Sequence, residues 1–237
     1  MNKPFRFKQF TIEQDRCAMK IGTDGILLGA WAEIKEPYAI LDIGAGTGVI
    51  GLMLAQRSYA EQIDAIEIDE DAYEQCVDNF EISPWADRLF CYHASLEEFA
   101  EEMKDDKYDL IISNPPFYTA DYKSNNEPRN SARFEEAMPF LDLVEHSAAL
   151  LSDEGSFAVI IPFTEEQKFL ELSRQVNLLP NRITRVRGTK DSEVKRSLLQ
   201  LSFTKTEVVQ NELVLEIARH EYTEDYKTLV EEFYLNL

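Results

Sequence analysis

The chain has 237 residues, 44% of them hydrophobic, with three cysteines and a formal net charge of −20, which is enough to build one full-sized core without disulfide staples. It contains no run of ~18 uninterrupted apolar residues, and its start, MNKPFRFKQF, lacks an apolar core, so neither a membrane span nor a secretory signal is expected and the chain reads as a cytoplasmic protein. Cys17, Cys76 and Cys91 are odd in number and far apart, which argues against a disulfide framework and against a metal site and leaves buried thiols as the expectation.

In chain order, the first twenty residues carry five basic side chains against two acidic ones, a local net of +3. Thr23-Asp24 then stand where the N-cap of a helix GILLGAW would lie. YAILDIG (38–44) is a short apolar run ending in a turn, and VIGLMLAQR (49–57) has helical character. QIDAIEID (62–69) reads as a strand, and EDAYEQCVDNFEIS as a helix stopped by Ser83-Pro84. RLFCYH predicts a third strand, SLEEFAEEM a short helix capped by Ser95, and YDLIIS a fourth strand. From Glu61 to Asp109 seventeen acidic side chains oppose three basic ones, a local net of −14. A long connection, 118–135, leads to a helix over 137–151, a fifth strand GSFAVIIP and a helix capped by Thr164. NRITRVRG and RSLLQLSFTK predict a closing antiparallel pair, and from Arg182 to Arg196 six bases oppose two acids, net +4. Alternating strands and helices imply crossover units and a mostly parallel sheet. The expected fold is α/β, a doubly wound, seven-stranded, Rossmann-like sheet in one domain spanning 1–237.

Such a sheet binds ligands at the carboxyl ends of its strands, where strand order reverses, and the unusual residues fall at strand ends. LDIGAGTG places Gly44, Gly46 and Gly48 at alternate positions, with Ala45 between, after Asp42. The spacing departs from the G-x-G-x-x-G of dinucleotide sites. An acid just before the turn is unwelcome beside a pyrophosphate but suits a ligand presenting an ammonium or a ribose. Glu67, at the end of the second strand and followed by Ile68, can accept from ribose hydroxyls. After the fourth strand come Asn114-Pro115-Pro116-Phe117, which can continue neither strand nor helix.

Taken together, LDIGAGTG, the strand-ending IEID and NPPF resemble the motifs of class I S-adenosylmethionine-dependent methyltransferases that act on amino groups. The amino-terminal FRFKQFTIEQDRCAMKIGTDGILLGAWA further resembles the bacterial valine-tRNA adenine-37 N6-methyltransferase family, and the similarity covers nearly the whole chain, least distinctly after about Asn211. The resemblance implies S-adenosyl-L-methionine as cofactor, held by Asp42, Gly44, Ala45, Gly46, Gly48, Glu67, Ile68 and Asn114, with Thr23 and Asp24 closing over the methionyl end. Residues 1–37 would then pack over the cofactor and substrate site. Related enzymes carry an acid after the third strand for the cofactor's adenine amine. Here CYHASLEEF puts Ala94 at that place, so Ser95 or backbone groups take the contact.

An exocyclic adenine amine is a poor nucleophile because its lone pair is delocalised into the ring. If the Asn114 side-chain oxygen and the Pro115 carbonyl accept its two N–H bonds, the nitrogen can turn its lone pair toward the methyl donor. Pro116 stiffens the turn, and Phe117 can stack on a flipped base. No strong base is required, which agrees with His93, His146 and His220 showing no triad or metal spacing. For the tRNA, a valine isoacceptor, Arg129 and Arg133 in the long connection and Arg185, Arg187, Lys195 and Arg196 in the closing pair are the candidate phosphate contacts; no metal, membrane or obligate protein partner is expected. The residues leave open the same chemistry on another RNA adenine or a protein glutamine amide, and a cofactor-binding module without turnover.

Overall fold

The computed structural model describes residues 3–116 and 139–236. A short antiparallel hairpin, β1 (Phe5–Arg6) with β2 (Thr11–Ile12), and helix α1 (Thr23–Trp31) precede the main sheet. Strands and helices then alternate: β3 (Ala39–Ile43), α2 (Val49–Arg57), β4 (Gln62–Glu67), α3 (Glu70–Glu81), β5 (Leu89–His93), α4 (Leu96–Glu102), β6 (Tyr108–Ser113), α5 (Phe140–Leu150), β7 (Leu151–Pro162) and α6 (Glu166–Gln175). Strands β8 (Leu179–Thr189), β9 (Val194–Ser202), β10 (Val209–Ala218) and β11 (Glu221–Tyr222) follow, and α7 (Glu224–Val230) comes last.

Among the described residues the strands form a nine-stranded sheet in the order β11-β10-β8-β9-β7-β6-β3-β4-β5. The run β5-β4-β3-β6-β7 is parallel. Strand β9 is antiparallel to both β7 and β8, as the closing pair required. The doubly wound expectation therefore holds, and its seven strands are extended by two. Strand β10 adds parallel to β8 and β11 folds back on it. The chain leaves β3 toward β4 and β5 and returns to its other side with β6, so the reversal of strand order, and the crevice it opens, lies between β3 and β6.

Successive side chains of a strand point to opposite faces, and the sheet uses both. Ile40, Leu110, Ile112, Ala158 and Ile160 pack with α1, α2 and α3, while Leu41, Ile43, Ile111, Phe157 and Val159 pack with α4, α5 and α6. This is why the central strands read as unbroken apolar runs. Two local expectations shift. Thr164 lies inside a 3-10 turn, Phe163–Glu165, and supplies no side-chain cap to the helix after it. Of the three thiols, Cys76 alone is buried, and Cys17 and Cys91 are half-buried. Among the described residues no helix is long and apolar enough to cross a membrane.

Helix α1 reaches far along the sheet. Its Trp31 Nε1 donates to Thr184 Oγ1 at 2.8 Å, and the Arg182 guanidinium lies 4.5 Å from the ring centroid while bonding Trp31 O. At its middle, Gly29 lets α2 approach, since a Cβ there would stand 2.9 Å from Met53 Sδ.

Helix α2 in turn lies close against α3 because Gly48, its N-cap, has no side chain. A Cβ at Gly48 would fall 2.6 Å from Phe80 Cε1 and 2.9 Å from Cys76 Sγ, and the residue sits at φ 76°. Gly48→Ala combines a left-handed backbone with overpacking and is expected to destabilise the protein by about 2–5 kcal/mol. Urea unfolding of parent and variant measures it, and a loss below about 1 kcal/mol would mean that α3 moves aside at little cost.

Candidate functional site

The crevice is floored by the β3–α2 turn. Gly44, Gly46 and Gly48 all have positive φ, 73°, 55° and 76°, which explains their alternate spacing, because a side chain is strained in that region. The Gly44 and Ala45 amides donate to Ile66 O on β4 at 2.9 and 3.0 Å, pinning the turn to the neighbouring strand. Around the Cβ positions of Gly44 and Gly46 nothing lies within 4 Å, so their backbone faces open space.

Asp42 does not face that space. It is fully buried beneath the turn, with Oδ2 accepting from Gly51 N at 3.1 Å. Its other oxygen, Oδ1, has no partner among the described residues. Asp42, expected beside a ligand ammonium or ribose, lies beneath the turn, where Oδ2 fixes the first turn of α2. Burial, opposed by the Gly51 amide and reinforced by Glu67, raises its carboxyl to about 7.

Glu67 ends β4 half-buried beside the turn. Its Oε2 accepts from Gly46 N at 2.8 Å, and Oε1 accepts from the Ile68 and Asp69 amides at 2.8 and 3.0 Å. Ile68 is 64% exposed at the mouth. Across from it the Ala94 amide donates to Glu67 O at 3.2 Å, while Ser95 is spent otherwise. The Ser95 hydroxyl and amide both bond Glu98, and Ser95 Oγ accepts from Glu98 N, a complete capping box. Of the two ways left open for the adenine amine, the hydroxyl of Ser95 is thus committed to α4.

On the other wall, Ser113 Oγ donates to Ile43 O at 2.9 Å and ties the end of β6 to the end of β3. Asn114, half-buried, and Pro115, buried, follow directly, and Pro116 is half-buried. The first turn of α1 closes over them, since a Cβ at Gly25 would lie 3.8 Å from Asn114 Nδ2 and 3.6 Å from Val49 Cγ1. Thr23 and Asp24 open α1 at this place; the N-cap is Gly22 and no side chain caps the helix. Asp24 Oδ2 accepts from Arg196 Nε at 2.8 Å, half-buried. Phe117, Arg129 and Arg133 lie outside the described residues.

The basic residues of the closing pair have internal partners. Arg185 Nε and Nη2 bond Glu166 at 3.1 and 2.7 Å, and Arg187 Nη2 bonds Glu212 at 2.5 Å while its Nη1 donates to Lys190 O and Ser192 O. Arg196 joins Asp24. These three thereby hold β8, β9 and α1 in place. Lys195, 67% exposed and 3.9 Å from Glu193, is the open one of the four.

Two residues went unnoticed in the sequence. Asn79, fully buried on α3, donates to Glu13 O and Thr47 O at 2.9 Å and accepts from Glu13 N at 2.9 Å. Gln75, one turn earlier, accepts from the Asp15 and Arg16 amides at 3.1 Å. Both sit at helical spacing among buried Cys76 and Phe80, so an amide pair on an apolar helix face was the available signal. They clip residues 13–16 to the glycine turn. Arg16 adds ion pairs to Glu74 and Asp78. Burial, then the Glu67 and Asp69 carboxylates, push the Cys17 thiol up to about 12, which places this stretch beside the acidic wall.

These features fit S-adenosylmethionine: a glycine turn whose backbone at Gly44 and Gly46 faces open space, the Glu67 carboxylate at its side, and a buried carboxyl with one oxygen unpaired beneath. Among the described residues no group of three or more acidic, histidine or cysteine side chains could hold a metal.

Residues 22–177 match the family Methyltransferase small domain. The chain is 61% identical to a tRNA1(Val) (adenine(37)-N6)-methyltransferase of Christiangramia forsetii over 100% of this chain and 99% of that one, and 43% identical to one of Parabacteroides distasonis at the same coverage. Among solved structures, a predicted O-methyltransferase from Agrobacterium tumefaciens matches with TM-score 0.69 at 18% identity, covering 89% of this chain and 96% of that chain. The ribosomal protein L11 methylase of Lactobacillus delbrueckii subsp. bulgaricus matches with TM-score 0.53 at 16% identity, over 75% and 76%. At these identities the two structures speak for the fold.

The raised carboxyl of Asp42 makes stability depend on pH. The folded-state value of about 7 lies above the ordinary 3.8, so the stabilisation from protonated Asp42 is complete below about pH 4 and is lost as the pH rises through about 7. Asp42→Asn removes that loss. Its stability relative to the parent should improve by about 2–3 kcal/mol between pH 5 and pH 8 in urea unfolding, whereas a constant difference would assign Asp42 an ordinary carboxyl.

Proposed function

The chain belongs to the tRNA1(Val) (adenine(37)-N6)-methyltransferase family within the Methyltransferase small domain fold, and from that premise we propose that it methylates the N6 amine of adenine-37 in a valine tRNA. It is an S-adenosylmethionine-dependent methyltransferase; the cofactor, when bound, supplies an activated methyl on a sulfonium. The rest of the reading concerns what the chain's own residues do.

The observation that carries it is Asn114. Its side-chain amide stands at the lip of the crevice where β6 ends, within reach of α1 and α2, and among the described residues it makes no hydrogen bond. A half-buried amide with no partner is held ready for a ligand. In this reading the Asn114 oxygen and the Pro115 carbonyl accept the two hydrogens of the amine and orient its lone pair. Glu67 receives the ribose hydroxyls by exchanging its bond to the Gly46 amide, and Asp42 keeps the turn from sagging. Thr23 and Asp24, seated by Arg196, close over the methionyl end, and residues 1–37 act as the cover of a single domain. Stabilisation by fixed acceptors rather than a strong base suits an amine whose proton becomes acidic as the new bond forms. A tRNA substrate also places the work in the cytoplasm.

Incubation with labelled S-adenosylmethionine and total tRNA, followed by nucleoside analysis, tests the reading. N6-methyladenosine confined to valine tRNA, and lost when its adenine-37 is replaced, is the expected result; label appearing in protein instead would sink it. Two substitutions test the residues. Asn114→Ala should lower single-turnover transfer by about 10²–10³ with cofactor affinity near the parental value in calorimetry. Glu67→Ala should do the reverse, weakening cofactor binding about 10-fold or more through the loss of charged hydrogen bonds. If Glu67→Ala bound the cofactor as tightly as the parent, the ribose assignment would be wrong.

A further inference from the structure

At the carboxyl edge of the sheet, next to the end of β6, β7 makes its last pair with β9 at Pro162↔Arg196 and turns into the 3-10 segment Phe163–Glu165. Strands β6 and β7 are parallel, with Ser113 opposite Val159, so Phe163 emerges on the same edge as Asn114, one strand over. Pro162 stands about 10 Å further along the strand direction than the Ser113 level. Phe163 is 38% exposed. Its backbone runs between buried Pro162 and buried Glu166. A single exposed apolar side chain is ordinary on a protein surface, and what singles out Phe163 is its place on this edge together with the cation beside it.

The second observation is what lies on that ring. The Arg185 guanidinium carbon is 5.6 Å from its centroid. Two of the guanidinium nitrogens are taken by Glu166, which also accepts from Ser197 Oγ at 2.5 Å. Burial disfavours a charged Glu166, yet the bonds from Arg185 and Ser197 hold its carboxyl below the ordinary range. The third nitrogen, Nη1, has no partner among the described residues, and the Arg185 side chain is 37% exposed. Such an arginine is aimed in advance: its fork is locked on one side and a donor is presented on the other, so little freedom remains to be lost on binding. Lys195, open on the adjoining hairpin, adds positive charge to a chain whose total is −20.

We propose that Phe163 and Arg185 form a stacking platform for an unpaired nucleotide flanking the methylated adenine, the base lying on the face of the Phe163 ring away from the guanidinium and Nη1 of Arg185 donating to its phosphate. The platform rests on the RNA reading above and extends it: the enzyme takes hold of a second nucleotide, outside the reaction crevice. An aromatic face accepts any base, so this contact contributes affinity and register rather than choice of letter, and the cation supplies the phosphate term.

The test is the binding of an isolated valine anticodon stem–loop, measured by filter retention, alongside single-turnover transfer to the same RNA. Phe163→Ala should weaken binding about 5- to 100-fold, with the rate at saturating RNA near the parental one and cofactor affinity unchanged. Phe163→Tyr should restore binding because the ring face is kept, and Phe163→Leu, which keeps the bulk without the ring, should not. Equal binding by the Ala variant, or full rescue by Leu, would overturn the platform; the latter would show an apolar filler, or a face kept for a protein. A parent protein that binds the stem–loop but transfers no methyl would sink the proposed reaction, while the same binding ratios still decide the platform.

Discussion

The missing side chain at Gly48 sets the distance between α2 and α3, and most of the crevice follows from that distance. With the Phe80 ring and Cys76 sulfur occupying the place where a Cβ would be, α3 comes near enough for one residue on its inner face, Asn79, to reach Thr47 O in the glycine turn and Glu13 on the amino-terminal segment together. A half-ångström retreat of α3 would lengthen both bonds past useful geometry. The glycine turn and Glu13 of the amino-terminal segment are thereby fastened through a single buried amide, and Glu67 joins them through its bond from the Gly46 amide. Buried polar groups with all their partners in place confer a unique arrangement, and here the arrangement is that of the walls of the site.

The parts of this architecture that could be read from the sequence are those in which cause and consequence are neighbours in the chain. Three glycines in five positions demand positive φ wherever they fold, two consecutive prolines end β6 in any context, and apolar runs in the centre of a parallel sheet carry their own signature. What could not be read depends on partners far away. Counting bases from Arg182 to Arg196 gives a positive patch, but Arg196 finds Asp24 172 positions earlier and Arg185 finds Glu166 on another element. Composition cannot tell a cation with a carboxylate beside it from one facing solvent. Asp42 illustrates the same limit in depth rather than in sequence, since nothing in LDIGAGTG says that its carboxylate lies under the turn. Strands β10 and β11 escaped for a different reason. Leu213 is buried, Val214, Leu215 and Glu216 are half-buried alike and Ile217 is 65% exposed, so the strand carries no period-2 contrast to read.

The polarity of the molecule has a physical counterpart in its layout. The acidic stretch runs through β4, α3, β5 and α4 on one side of the reversal between β3 and β6, while the basic hairpin of β8 and β9 lies on the other. The basic flank is largely neutralised from within, since Arg185, Arg187 and Arg196 each face a carboxylate, and these ion pairs keep its cations in defined places rather than trailing in solvent.

The seat of α1 has a consequence for the order in which the protein becomes an enzyme during synthesis. The helix leaves the ribosome before β8 and β9, yet it rests on Thr184, Arg182 and Arg196, and the strand hairpin before it is tied by Lys8 N to Phe233 O. A nascent chain that has emerged only as far as β7 already owns the glycine turn, Glu67 and Asn114, and α1 can already pack on α2, but the partners that hold Trp31 and Asp24 have yet to arrive. Long-range closure of this kind is the slow step of folding. The amino-terminal helix would thus be seated early along α2 and secured late, when β8 and β9 arrive.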